Sequence, residues 1–120
     1  MIRSRGLNHI NINVSNLKRS LAFYRKAFGL EVRFTAGRSM VFLRSPGAED
    51  IITLCKAGKG ERLGHGGVSH FGFAMSGPLE KCIAQIERAG GKLIERGEHG
   101  PGVPYAFVAD PDGYLIEIGN

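Results

Sequence analysis

Apolar and polar residues alternate in the same way along two stretches of the chain. In the first, Ile10, Ile12 and Val14 fall on one side of an extended segment and His9, Asn11 and Asn13 on the other, because successive side chains of a strand point to opposite faces. In the second, Phe71, Phe73 and Met75 oppose His70, Gly72 and Ala74. Each stretch gives way to helical spacing. Leu17, Leu21, Tyr24 and Phe28 follow Ser15 or Asn16 as a cap and stop at Gly29; Leu79, Cys82, Ile83 and Ile86 follow Ser76 and Pro78 and stop at Gly90.

The two stretches are copies of each other. His9 and His70 are 61 residues apart, and so are Gly29 and Gly90. Ser45-Pro46-Gly47 before Ile51-Ile52-Thr53-Leu54 is echoed by Asp110-Pro111-Asp112-Gly113 before Leu115-Ile116-Glu117-Ile118, at a slightly larger spacing that a loop insertion accounts for. The pattern predicts an α+β fold of two tandem βαβββ modules. Strands are expected at 7 to 14, 30 to 36, 39 to 44 and 51 to 56, then at 68 to 75, 92 to 96, 103 to 109 and 114 to 118. Helices are expected at 16 to 28 and 78 to 89. Module one covers 6–56 and module two 68–120, joined by a polar, glycine-rich linker at 57–67; the whole, 1–120, is read as one domain.

The polar faces carry the candidate chemistry. In the last strand Tyr114, Ile116 and Ile118 oppose Leu115 and Glu117, and a carboxylate in the middle of an apolar strand is costly to bury without a partner. A lone strand histidine is ordinarily a satisfied surface or core group. What singles out His9 and His70 is their equivalent position in both modules, each on the face turned away from its helix. With Glu117 they make a set of nitrogen and oxygen donors suited to a first-row divalent cation, leaving coordination positions open for water or substrate.

Composition narrows the partners. Sixteen Lys and Arg against eleven Asp and Glu leave a formal charge of +5, a field that favours an anionic ligand. The basic residues are scattered without interleaved aromatics, so nucleic acid is not expected. No apolar run spans a bilayer and the first residues do not form a signal peptide, so a cytoplasmic location away from membranes is expected. Cys55 and Cys82 lie on a strand and a helix face, and are read as buried free thiols.

Several pieces in order, Gly6-Leu7-Asn8-His9, Ser20-Leu21-Ala22-Phe23-Tyr24 with Phe28-Gly29-Leu30, Ser69-His70, and Asp110-Pro111-Asp112-Gly113-Tyr114-Leu115-Ile116-Glu117, resemble the vicinal oxygen chelate superfamily. That superfamily includes glyoxalase I, thiol-transferring fosfomycin resistance proteins, extradiol dioxygenases and bleomycin-binding proteins. The resemblance covers nearly the whole chain. It implies modules whose sheets curl into a cup around a divalent metal (Zn, Ni, Mn or Fe(II)), held by His9, His70 and Glu117, with Glu117 also the catalytic carboxylate. It implies a homodimer as well, with His9 from one chain and His70 and Glu117 from the other. One position departs: where glyoxalase I has a further Glu ligand on the fourth strand, this chain has Thr53.

The remaining candidates are substrate contacts. Asn11 and Asn13 share the His9 face, either to bind substrate or simply as a solvated edge; Thr53 is a substrate-side hydroxyl or a plain strand threonine. His99 and Tyr105 belong to a Gly- and Pro-rich loop, 97 to 105, that can overhang the cup. Imidazole exchanges protons near neutral pH and a phenol can donate, so both are acid-base or substrate contacts unless they are ordinary loop residues. His65, in the linker, is a weaker candidate.

The functional expectation is a metal-dependent enzyme chelating vicinal oxygens of a small substrate, anionic or thiol-linked. Its reaction is expected to be that of a glyoxalase-like lyase or isomerase, or of a thiol transferase of the fosfomycin-resistance type. The alternatives are a small extradiol-type dioxygenase and a non-catalytic drug-sequestering protein of the bleomycin-resistance type.

Overall fold

The computed structural model describes residues 1, 3, 9–64, 70–99 and 101–119. The expected strand starts at 7 and 68, the motif residues Gly6, Leu7, Asn8 and Ser69, the linker positions 65–67 and the candidate His65 lie outside the described residues.

Each half of the chain forms a four-stranded mixed sheet with one helix. The elements run β1 (Ile10–Val14), α1 (Leu17–Phe28), β2 (Glu31–Ala36), β3 (Met40–Arg44), β4 (Ile52–Lys56), β5 (Phe71–Ala74), α2 (Leu79–Arg88), β6 (Lys92–Glu98), β7 (Pro104–Ala109) and β8 (Leu115–Gly119). The sheets have matching orders, β1-β4-β3-β2 and β5-β8-β7-β6, with β1·β4 and β5·β8 parallel and the other pairs antiparallel. Even the irregularities repeat: β2 is bulged between Val32 and Phe34, and β6 between Leu93 and Glu95. The tandem βαβββ reading is therefore what the chain adopts.

Local chemistry sets the helix ends. Asn16, rather than Ser15, caps α1, its side chain accepting from the Arg19 amide at 3.0 Å. Gly29 ends the helix in the left-handed region at φ 68, a conformation that costs glycine nothing. Helix α2 begins at Pro78 without a side-chain cap. One expectation fell short: β6 runs to Glu98 rather than stopping at 96. Gly97 and Glu98 continue the ladder against Tyr105 and Pro104, because Pro104 opens its strand, where its missing N–H costs least.

Both helices pack on the same side and share one core. Phe23, Tyr24 and Ala27 of α1, Ile83 and Ile86 of α2, Val14, Leu43 and Leu54 of the first sheet and Val108, Ile116 and Ile118 of the second belong to a single buried cluster. Phe28 of α1 stacks on Phe73 of β5, centroids 4.5 Å apart, and Gln85 of α2 donates to the Ala27 carbonyl at 2.9 Å. The alternation read along β1, β5 and β8 therefore assigns the faces as expected: apolar sides toward the helices, and Asn11, Asn13, Gly72 and Glu117 away from them. Among the described residues no helix is long and apolar enough to cross a membrane.

Polar contacts fasten the turn before β8 to α1. Asp110, 5% exposed, accepts from the Tyr24 hydroxyl at 2.8 Å and from the amides of Asp112 and Tyr114 at 2.9 Å each. Asp112 accepts from the Ser15 hydroxyl at 2.5 Å and pairs with Arg19 at 3.1 Å. The Tyr114 hydroxyl donates to the Asn13 carbonyl at 2.7 Å. Burial pushes the Asp110 carboxyl above its usual range against the pull of these donors, and pushes the Tyr24 phenol well up. Tyr24→Phe removes a donor from a buried acceptor and is expected to lower unfolding free energy by about 1–3 kcal/mol. Denaturant unfolding at neutral pH measures it; an unchanged midpoint and slope would show the bond to be dispensable.

Candidate functional site

Glu117 lies in the middle of β8 on the face away from the helices, flanked in register by Gly72 on β5 and Phe107 on β7. Gly72 permits that close pairing, since a Cβ there would stand 2.9 Å from the Glu117 carbonyl oxygen. His70, just before β5, places Nε2 3.1 Å from Glu117 Oε2, and its ring rests edge-on against Phe107 with centroids 4.8 Å apart. An open cavity of about 380 Å³ lies over this pair, bordered also by Phe73, Ala74 and Gly119. The small residues beside His70 leave that room.

On the other side of the carboxylate, His99 brings Nε2 to 2.5 Å from Glu117 Oε1 and stacks its ring on Tyr105 at 4.2 Å. The Tyr105 ring lies over Gly97, where a Cβ would meet its hydroxyl oxygen at 2.6 Å. The hairpin tip thus does reach over the sheet, closed by the His99 amide donating to the Val103 carbonyl at 3.0 Å. Chiefly through the His99 hydrogen bond, and further through the neighbouring imidazoles of His99 and His70, the Glu117 carboxyl is held below the usual carboxylate range.

The first module carries a modified copy of this arrangement. Thr53 pairs with Asn11 on β1 and Phe42 on β3, as Glu117 pairs with Gly72 and Phe107. Thr53 is only 2% exposed, and its Oγ1 has no hydrogen-bond partner among the described residues. Around it the Cys55 thiol donates to Asn11 Oδ1 at 2.8 Å, and Asn13 Nδ2 donates to Glu61 Oε1 at 2.6 Å. Burial pushes the Cys55 thiol up, away from thiolate chemistry. Phe34 stacks on Phe42 at 4.1 Å and is itself 49% exposed, an aromatic surface on the same face.

His9 sits at the exposed start of β1. With Asp50 and Ile52 it lines a cavity of about 190 Å³ whose far wall is Phe71, Gly72 and Phe73 of β5. Among the described residues no group of three or more His, Cys, Asp and Glu is arranged to hold a metal. One chain therefore brings together His70 and Glu117 of the expected ligand set, but not His9 with them. His70 Nε2 and Glu117 Oε2, 3.1 Å apart, are a nitrogen and an oxygen donor facing one open cavity.

Sequence reasoning missed Phe107 and the direct contact between His99 and Glu117. The alternation of Tyr105 and Phe107 opposite buried Ala106 and Val108 was the available signal for the first. For the second, it was the need of a strand carboxylate for partners.

If the His99 hydrogen bond stabilises the charged carboxylate, removing it shifts Glu117 toward the neutral form. In metal-free protein, His99→Ala is expected to raise the Glu117 pKa, read from the side-chain carboxyl 13C shift. Sign follows from linkage: the contact is complete above the ordinary carboxylate pKa and is lost as pH falls through the depressed one. Superimposable titrations of variant and parent would contradict it.

The chain's similarities agree with its geometry. A family model described as the Glyoxalase/Bleomycin resistance protein/Dioxygenase superfamily matches residues 6–118. A metapyrocatechase from Geobacillus stearothermophilus is 34% identical over 117 residues, covering 93% of this chain, which spans only 33% of that longer protein. A lactoylglutathione lyase from Neisseria meningitidis is 30% identical, over 93% of this chain and 88% of its own length. The solved structure of a glyoxalase family protein from Enterococcus faecalis superimposes with a TM-score of 0.77 at 21% identity, over 97% of this chain and 98% of that one. The chain belongs to the Glyoxalase/Bleomycin resistance protein/Dioxygenase superfamily, the vicinal oxygen chelate superfamily.

Proposed function

We propose that the chain is a divalent-metal-dependent enzyme acting on a small substrate through two vicinal oxygens, with His9, His70 and Glu117 as the protein ligands. The observation that carries the reading is the 3.1 Å approach of His70 Nε2 to Glu117 Oε2 on an open sheet face. His9 is the third ligand by its equivalence to His70, supplied by a second copy of the chain in a homodimer. Relatives named as a lactoylglutathione lyase and a metapyrocatechase support an enzyme of this superfamily. A cytoplasmic enzyme is the corresponding setting.

When bound, the metal supplies Lewis acidity, stabilising negative charge that develops on the chelated oxygens. The chain's own residues do the rest. The contact between His99 Nε2 and Glu117 Oε1 joins two proton-exchanging groups, the arrangement that general acid-base chemistry at a substrate carbon or oxygen uses. Tyr105 fixes the His99 ring by stacking, and Phe107 fixes His70 edge-on. Asn11 and Asn13 orient the substrate's polar end, with Thr53 beneath them as a buried hydroxyl. Glu117 is both ligand and the catalytic carboxylate.

A second reading, a drug-sequestering protein without chemistry, draws on the half-exposed Phe34 stacked on Phe42, a surface suited to a flat apolar ligand. The two part on metal. Reconstitution with Zn, Ni, Mn or anaerobic Fe(II) is expected to give stoichiometric binding. His9→Ala, His70→Ala and Glu117→Ala should each weaken it at least about tenfold. Mixing inactive His9→Ala with inactive Glu117→Ala should restore part of the metal binding, because one cup of the mixed dimer then has all three ligands. No binding of any of these metals sinks the enzyme reading; no recovery on mixing sinks the shared site. Assays with methylglyoxal and glutathione, fosfomycin and thiols, and catechols with Fe(II) separate the reaction classes.

A further inference from the structure

Basic residues scattered along the chain meet on the helix-bearing side of module one. Lys18 in the first turn of α1, Arg38 in the turn between β2 and β3, and Lys56 at the end of β4 line one groove of about 570 Å³. Its floor is apolar, from Leu17, Leu21 and Val41, and Ser15 and Asn16 add a hydroxyl and an amide at its rim. Among the described residues no carboxylate lines it. Three other arginines are paired, Arg19 with Asp112, Arg44 with Glu31 and Arg96 with Glu80. Among the described residues Lys18, Arg38 and Lys56 form no ion pair.

Three like charges facing one cavity without a counter-charge repel each other, a cost that an anion seated between them turns into attraction. The volume falls in the range of small-molecule sites, and an apolar floor under a charged rim matches a ligand with an apolar body and an anionic head. Arg38 supplies a planar fork for two anion oxygens, and the lysines supply compact charges on flexible stems. The groove faces the helix side of the sheet, whereas His70, His99 and Glu117 lie on the opposite face, so its ligand is not the molecule bound there.

We infer that this groove is a second binding site, for a small organic anion that carries a phosphate-like dianionic head on an apolar body. Ser15 touches both the groove and Asp112, through the 2.5 Å hydrogen bond that ties the turn before β8 to α1.

The test is a 15N-detected NMR titration of the whole chain with 2-naphthyl phosphate, uncharged 2-naphthol and inorganic pyrophosphate. Naphthyl phosphate should shift the amides of 17 to 21, 38 to 41 and 56 in a saturable way. Naphthol should bind at least about tenfold more weakly, and pyrophosphate should compete. The triple variant Lys18→Gln, Arg38→Gln, Lys56→Gln should lose at least about thirtyfold in affinity, the scale of several charge-assisted contacts. All three side chains are exposed and form no ion pair among the described residues, so the variant's spectrum should match the parent's away from the groove. Shifts that map instead to the His70 and Glu117 face, naphthol binding equal to the phosphate, or a variant within about twofold of the parent each overturn the assignment.

Discussion

The turn from Asp110 to Gly113 determines how the two modules meet. Within its own module it closes on itself: Asp110 accepts two amides of its turn, and Gly113, at φ 89, donates back to the Asp110 carbonyl. Toward the other module it presents two carboxylates, one buried against Tyr24 and one gathering Ser15 and Arg19. A buried carboxylate is tolerated only where donors surround it, so this junction is specific in a way that apolar packing alone is not. The strand that leaves this turn is β8, which carries Glu117. Clamping the turn therefore also sets the height and direction of the strand that carries Glu117.

Duplication explains the scaffold, and divergence explains the chemistry. Both sheets have the same order and the same bulge, yet their outward faces differ. One has His70, Glu117, His99 and Tyr105; the other has Asn11, Asn13, Cys55 and an aromatic pair around a buried hydroxyl. Thr53 marks the divergence most clearly, since its register neighbours repeat those of Glu117 while its side chain cannot supply a charged donor. One outward face thus carries charge, and the other carries amides and rings.

Most of the fold was legible because two local periodicities, two along strands and 3.6 along helices, were interrupted at glycines and prolines and then repeated. His70 and Glu117 were legible for the same reason: alternation assigns a face without knowledge of any contact. Contacts between distant residues were not. Tyr24 and Asp110 are 86 residues apart, Ser15 and Asp112 are 97 apart, and the His99 partner of Glu117 sits two strands away. Lys18, Arg38 and Lys56 looked scattered because only folding brings them to one groove. The extra length of β6 escaped notice because Gly97 and Pro104 read as loop residues, although each occupies a ladder position its backbone allows.

The hairpin between β6 and β7 has a further consequence. Its last ladder pairs are Gly97 with Tyr105 and Glu98 with Pro104, and His99 stands just beyond them. Strands β5 and β8, beside which His70 and Glu117 stand, lie on the far side of β7 and form no part of that ladder. Changes of length or sequence between 99 and 103 would therefore alter what hangs over the carboxylate while leaving the donors in register. In evolutionary terms the tip is a replaceable part on a fixed frame. That separation of overhang from underlying strands offers one physical route by which a single small scaffold can come to serve unrelated reactions.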